Sequence, residues 1–237
     1  MTSDAVAGVD GCRSGWVVAV LDRSPPPGPR SGPAHLTVTV VERLDGVVGQ
    51  VDGGGLAAVA VDMPIGLPDA EPRACDLAAR RRLGPRRSSV FPAPARAVLG
   101  AATYAEALAR SRAACGRGLS RQAFNLLPKL AALDAVVRPA LQDAVVEAHP
   151  ELAFARLAGH PAAHPKRTAP GRAERLALLR AAGLGDLSGL RLPGTAPDDV
   201  LDAAVLVLTA ARVRDGRAER LGDGARDGRG LRMEVVV

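Results

Sequence analysis

The sequence predicts a single α/β domain, 1–237, built on a mixed sheet flanked by helices. Three observations carry this: strand-like runs fill the first 62 residues, helical patterning takes over from Pro72, and the composition is that of a globular chain. Of 237 residues, 47% are hydrophobic and 24% charged, so disorder, collagen and coiled coil are excluded.

Ala5–Asp10 is a short apolar run ending in an acid, and Gly11 to Gly15 supply a turn. Gly15–Leu21 resumes as a second strand. Ser24–Pro33 is a Pro/Gly-rich loop, and the alternating, β-branched Leu36–Arg43 is a third strand. Leu56–Asp62 is apolar until its final acid, as expected of a strand covered on both faces. Hairpin-connected strands followed by a buried one imply antiparallel pairs on one side and a parallel strand reached by a crossover.

Pro72–Leu83 is a helix stopped by Gly84-Pro85. Thr103–Cys115 and Ser120–Arg138 form a helical hairpin around Gly116-Arg117-Gly118, so 72–140 reads as a helical insertion after the fourth strand. Asp143–Glu147 is a fifth strand ending in another acid. Pro150–Leu157 opens with Pro at its first helical position and Glu151 in its first turn. Gly171–Ala182 is an amphipathic helix. Asp198–Arg214 is a long helix, apolar nearly all round at its middle, and belongs deep against the sheet.

No apolar run reaches the roughly 18 residues of a membrane helix. The opening MTSDAVAGVD carries an acid where a signal peptide needs basic residues, which reads as cytoplasmic. Cys12, Cys75 and Cys115 are odd in number and widely spaced, suiting neither a disulfide framework nor a zinc site. The net charge of +6 permits an anionic partner. Only two of 31 basic residues are lysines, Lys129 and Lys166. In a chain where arginine is the default cation, a retained lysine marks a place for a compact point charge.

The chemistry lies in the placement of acids. Asp10, Asp62 and Glu147 each end an apolar strand, and Asp202 lies inside an apolar helix. A carboxylate among buried residues is costly unless paired, protonated or metal-bound. Four such acids point to one cluster at the carboxyl edge of the sheet, where open α/β sheets place ligands. Like charges there need a cation, and Mg²⁺ or Mn²⁺ suits carboxylate ligands. Two such ions about 4 Å apart would activate water and stabilise the leaving oxygen of a phosphodiester. Plainer roles stand beside this. Asp10 fits an Asp-Gly turn, Asp62 a loop start, and Asp198 and Asp199 a helix cap, whereas capping does not account for Asp202.

Several segments together resemble the DUF429 family. They are Gly8-Val9-Asp10-Gly11-Cys12-Arg13, Gly15-Trp16-Val17, Asp62-Met63-Pro64-Ile65-Gly66-Leu67-Pro68, Cys75-Asp76, Arg87-Ser88-Ser89-Val90-Phe91, Leu119-Ser120-Arg121-Gln122-Ala123-Phe124, Glu147-Ala148-His149-Pro150-Glu151 and Asp198-Asp199-Val200-Leu201-Asp202-Ala203. The resemblance implies a predicted nuclease of ribonuclease H-like fold. By that resemblance the metal ligands are Asp10, Asp62 and Asp199 or Asp202, with Glu147 a fourth. One departure stands out: after Lys129 the resemblance implies a helix acid, yet this chain has Ala131-Ala132 before Asp134.

Further candidates surround these acids. His149 reads equally as a ligand or proton shuttle and as a helix-entry residue bonded to the backbone. His160 and His164 have helical metal-pair spacing, but each precedes a proline and reads as loop. Arg80, Arg81, Arg82, Arg86 and Arg87 could contact a nucleic-acid backbone near Ser88 and Ser89, or form a solvated face. Arg13 in the turn and Lys129 join them as substrate-binding candidates, and Lys166 could reach a scissile phosphate. Ser88 or Ser89 as a covalent nucleophile is disfavoured, because no elbow pattern surrounds them. One Trp, one Tyr and three Phe are too few for a stacking platform.

The leading expectation is a Mg²⁺- or Mn²⁺-dependent nuclease. A non-catalytic nucleic-acid or protein-binding module and a nucleotide-dependent phosphotransferase or ATPase are the alternatives. The last would normally need a second domain and more phosphate loops.

Overall fold

In a computed structural model, residues 3–22 and 35–237 are described, and the loop expected at Ser24–Pro33 lies outside them. Strands β1 (Val6–Cys12), β2 (Gly15–Asp22) and β3 (His35–Val41) form an antiparallel meander. Helix α1 (Asp45–Asp52) follows, then β4 (Ala58–Val61), which pairs parallel to the free edge of β1. Three helices, α2 (Ala74–Leu83), α3 (Tyr104–Cys115) and α4 (Arg121–Val136), precede β5 (Val145–Glu147), which is parallel to β4. The resulting sheet is mixed and five-stranded, in the order β3-β2-β1-β4-β5.

Helices α5 (Pro150–Ala158), α6 (Ala169–Ala181) and α7 (Pro197–Arg214) complete the layers, and a small pair, β6 (Arg220–Leu221) and β7 (Val235–Val236), closes the described chain. Helix α1 and strands β6 and β7 have no counterpart among the elements predicted from the residues. Gly46 and Gly49 dilute the helical pattern of α1, and two-residue strands carry no periodicity of their own. Among the described residues, no helix is long and apolar enough to cross a membrane.

Strand alternation divides the interior into two cores. On one face Ala7, Val9, Val18, Val59, Val61 and Val145 meet Val47 and Val48 of α1 and Leu127, Leu130 and Leu133 of α4. On the other, Val6, Val17, Ala19, Ala58, Ala60 and Val146 meet Phe154 of α5, Leu179 of α6 and the apolar length of α7. Val205, Leu206 and Val207 are fully buried, consistent with a helix apolar nearly all round. Each such side chain stabilises the fold by about 1.5–3 kcal/mol through removal from water.

The tightest contact in this layer is at Gly8. A Cβ built there would lie 2.1 Å from the Ala203 carbonyl oxygen and 2.6 Å from the Val207 nitrogen. Only a residue without a side chain lets α7 settle directly on the central strand. The next outward position on this face of β1 is Asp10, so the same contact sets α7 beside it.

Gly8→Ala should therefore push α7 off the strand and cost about 2–3 kcal/mol in urea unfolding. Gly11→Ala is the comparison, since its Cβ would meet the flexible Lys129 Cδ at 3.0 Å; it should cost less than about 1 kcal/mol. Equal losses at the two positions would refute the close-packing account.

Candidate metal centre

The parallel register pairs Val9 with Val61 and Val61 with Glu147. Residues paired this way share a face, and neighbours along a strand alternate. Asp10 and Asp62, one position beyond Val9 and Val61, therefore project to the α7 side of the sheet. Asp202, in the second turn of α7, lies opposite them. Carboxylate oxygens of Asp10, Asp62 and Asp202 fall within 4.8 Å of one another. Asp10 and Asp202 are buried and Asp62 partly so.

Parity treats Glu147 differently. It turns to the opposite face, where its carboxylate takes a bidentate ion pair from Arg73, with both N–O distances 2.7 Å, and a hydrogen bond from the Ile65 N–H at 2.7 Å. Arg73 also pairs with Asp76 and donates to the carbonyls of Ile65 and Gly66. Burial pushes the Glu147 carboxyl up to about 7, against the pull of Arg73. The structure thus does not bring Glu147 into the acid cluster and gives it a bracing role: it ties the loop after β4 to β5 and to the residue before α2.

The three aspartates of α7 separate in the same way. The Asp199 carboxylate accepts from the Ala196 N–H at 2.7 Å and closes the start of the helix. Asp198 lies 3.5 Å from the Lys166 ammonium, which pairs more closely with Asp202. Only Asp202 joins Asp10 and Asp62. One of its oxygens, Oδ2, holds Lys166; the other, Oδ1, is buried and has no hydrogen-bond partner.

A cavity of about 510 Å³ opens over the cluster. Asp10, Asp62, Ser88, Ser89, Lys166 and Arg167 are among its lining residues, with Phe91 and Leu126 supplying apolar, exposed surface. His149 lies on its wall with both ring nitrogens engaged. Nδ1 accepts from the Glu151 N–H at 3.2 Å, which leaves Nε2 to carry the hydrogen towards the Ser89 carbonyl at 3.2 Å. His149 is therefore a helix cap and a strap, with no nitrogen left over for a proton shuttle.

The remaining candidates divide into braces and free groups. Arg86 donates to the carbonyls of Ala162 and Ala163, Arg80 to that of Val90, and Arg82 pairs with Glu219. The expected basic strip is thus largely consumed in holding loops, leaving Arg81 and Arg87 exposed. Lys129 reaches under the first hairpin, donating to the Gly15 carbonyl at 2.6 Å with its ammonium 4.9 Å from the Trp16 ring centre. Arg13 is exposed in that hairpin turn, as are His160 and His164 in their loop. All three cysteines are free. Arg73 was invisible as a site residue in a chain this rich in arginine; its only signal is the i,i+3 spacing to Asp76.

Electrostatics single out the cluster. Burial, then Asp62 and Asp202, raise the Asp10 carboxyl well above the carboxylate range, with Lys166 opposing. Burial also raises Asp62, against His149 and Lys166. The Asp202 carboxyl is pushed up to about 7 by burial, despite the pull of Lys166. These groups hold protons in the folded state at pH values where the unfolded chain has lost them. Metal-free stability from this source is therefore present below about pH 4 and lost as pH rises towards 7.

Asp10→Asn removes one charge from the repelling set. Without divalent metal, its Tm advantage over the wild type should be small at pH 5 and grow by several degrees towards pH 8. A constant difference across that range would contradict the crowded-carboxylate account.

Among solved structures, Thermus thermophilus RuvC is 17% identical, covering 90% of this chain and 97% of its own, with a TM-score of 0.33. T. thermophilus RuvC in complex with a Holliday junction substrate is 18% identical over 90% and 96%, with a TM-score of 0.32. At such TM-scores neither likeness bears on fold or activity. No curated protein matches the sequence. Residues 8–227 match the family model described as "Protein of unknown function (DUF429)", and the chain belongs to that family.

Proposed function

We propose that this chain is a metal-dependent nuclease of ribonuclease H-like fold, hydrolysing phosphodiesters by a two-metal route. The observation that carries the reading is the buried, partnerless Asp202 Oδ1 beside the carboxylates of Asp10 and Asp62. A fully buried carboxylate oxygen without a donor is costly, and a hard cation among three carboxylates would satisfy it. The strand order β3-β2-β1-β4-β5, with one acid near the carboxyl end of β1, one just after β4 and a third on the last long helix, supports the fold implied by the family resemblance.

Asp10, Asp62 and Asp202 would hold Mg²⁺ or Mn²⁺. Bound there, the metal would lower the pKa of a coordinated water and neutralise charge on the departing oxygen. The chain's own residues do the rest. Lys166 and Arg167 line the cavity next to the cluster and set positive charge against phosphate oxygens. Ser88 offers a hydroxyl on the same wall, while that of Ser89 is donated to the Arg86 carbonyl at 2.8 Å. Met63 and Pro64 pack apolar surface beside Asp62 and limit access of bulk water to the carboxylates. Nucleic acid is the substrate class because charge and lining favour a phosphate backbone.

One observation favours a second reading. The Lys166 ammonium already pairs with Asp202, which partly neutralises the cluster without a metal and would suit a non-catalytic nucleic-acid or protein-binding module.

A panel of labelled single- and double-stranded DNA, RNA, RNA–DNA hybrid and branched DNA, with Mg²⁺ or Mn²⁺, separates the two. Wild type should cut at least one member, and Asp10→Asn should lose at least about 10²-fold in rate. Binding without cutting by either protein would favour the non-catalytic module. Equal cutting by both would remove Asp10 from the chemistry.

A further inference from the structure

A second charged cavity lies at the far end of α7. From Asp202 to Arg212 is ten residues of helix, about 15 Å. There a cavity of about 280 Å³ is lined by Leu208, Ala211, Arg212, Asp215 and Arg217, and by Arg156 from the last turn of α5. The chain turns sharply after α7: the Asp215 N–H donates to Ala211, Gly216 to Val213 and Arg217 to Arg212. This turn brings Arg217 back over the helix end, while packing of α5 against α7 brings in Arg156.

The three guanidinium groups are not equally matched. Arg217 pairs with Asp215, which also takes Arg214. Among the described residues, neither the exposed Arg156 nor the half-buried Arg212 has an acceptor from the protein. The Arg212 Nη1 is buried and makes no hydrogen bond. Burial, then Arg156 and Arg217, lowers the Arg212 pKa, so its charged neighbours in the cavity repel it. The negative end of the α7 dipole favours one cation here, but the Ala211, Arg212 and Val213 carbonyls accept from backbone N–H groups of the turn, and Nη1 bonds to none of them. A buried guanidinium donor without an acceptor costs more than a neutral one, and a forked cation is matched best by an oxyanion.

We infer that the Arg156–Arg212–Arg217 cavity is a binding site for a tetrahedral oxyanion of the phosphate class, held by the free donors of Arg156 and Arg212. Two sources share this chemistry: a free phosphate or small phosphorylated molecule, and a phosphodiester of a nucleic-acid backbone. The site is independent of the metal centre, so it stands or falls without the nuclease reading.

The test is thermal unfolding of the full chain in EDTA, with inorganic phosphate against chloride at matched ionic strength. Wild type and Asp10→Asn should each gain about 3 °C at phosphate well above its Kd. Arg212→Gln, which keeps length and polarity but removes the charge, should gain nothing. It should also melt no lower than wild type in chloride, because a repelling charge has gone. Arg156→Gln is the second variant, expected to lose most of the gain. No phosphate effect in wild type, or an undiminished one in both glutamine variants, overturns the inference. A salt titration of oligonucleotide binding then distinguishes the sources. A slope lower by about 1 in Arg212→Gln identifies a backbone phosphate, and an unchanged slope with lost phosphate stabilisation identifies the small anion.

Discussion

The seating of α7 on β1 at Gly8 is the contact on which the rest of the structure depends. The helix backbone could not lie this close to any side chain at that position. Once it is there, its apolar length fills one core, and the only acid in its buried stretch is delivered to Asp10 near the end of β1 and Asp62 just after β4. Packing and site are consequences of a single approach. A wider spacing would leave the strands separated from the helix and the three carboxylates apart.

Two kinds of buried carboxylate result, and they differ in what surrounds them. Glu147 and Glu151 are matched by Arg73 and Arg175 respectively, so their charges are neutralised within the protein and serve as braces between loops and helices. Asp10, Asp62 and Asp202 share one lysine, and one Asp202 oxygen has no partner. Breaking a matched pair leaves an uncompensated charge; the unmatched cluster begins in that condition and gains from any cation that enters it. The difference between the two sets is why the cluster, and not the Arg73 network, is the candidate for chemistry.

Much of this was legible in the residues. Strand-end acids at Asp10 and Asp62 are visible because apolar runs stop at them, and Asp202 is visible because nothing about a helix core explains an acid there. Glu147 looked equivalent because it too ends an apolar run. Its side was hidden because parity depends on how β5 pairs with β4, a register that the sequence does not state. Asp199 and Asp202 could not be separated by spacing, since both lie on one flank of α7; the bond from Ala196 to Asp199 separates them. The basic run before Ser88 suggested a nucleic-acid strip, but in a chain with so many arginines, those bonded to distant carbonyls look the same in sequence as those left in solvent.

The central claim, that Asp10, Asp62 and Asp202 together form a divalent-cation site, is tested most directly by anomalous diffraction from crystals of the protein soaked in Mn²⁺. The account predicts a Mn²⁺ peak bonded to carboxylate oxygens of all three residues, with Glu147 still held by Arg73. A strong peak elsewhere, or none between those three carboxylates at saturating Mn²⁺, would contradict it.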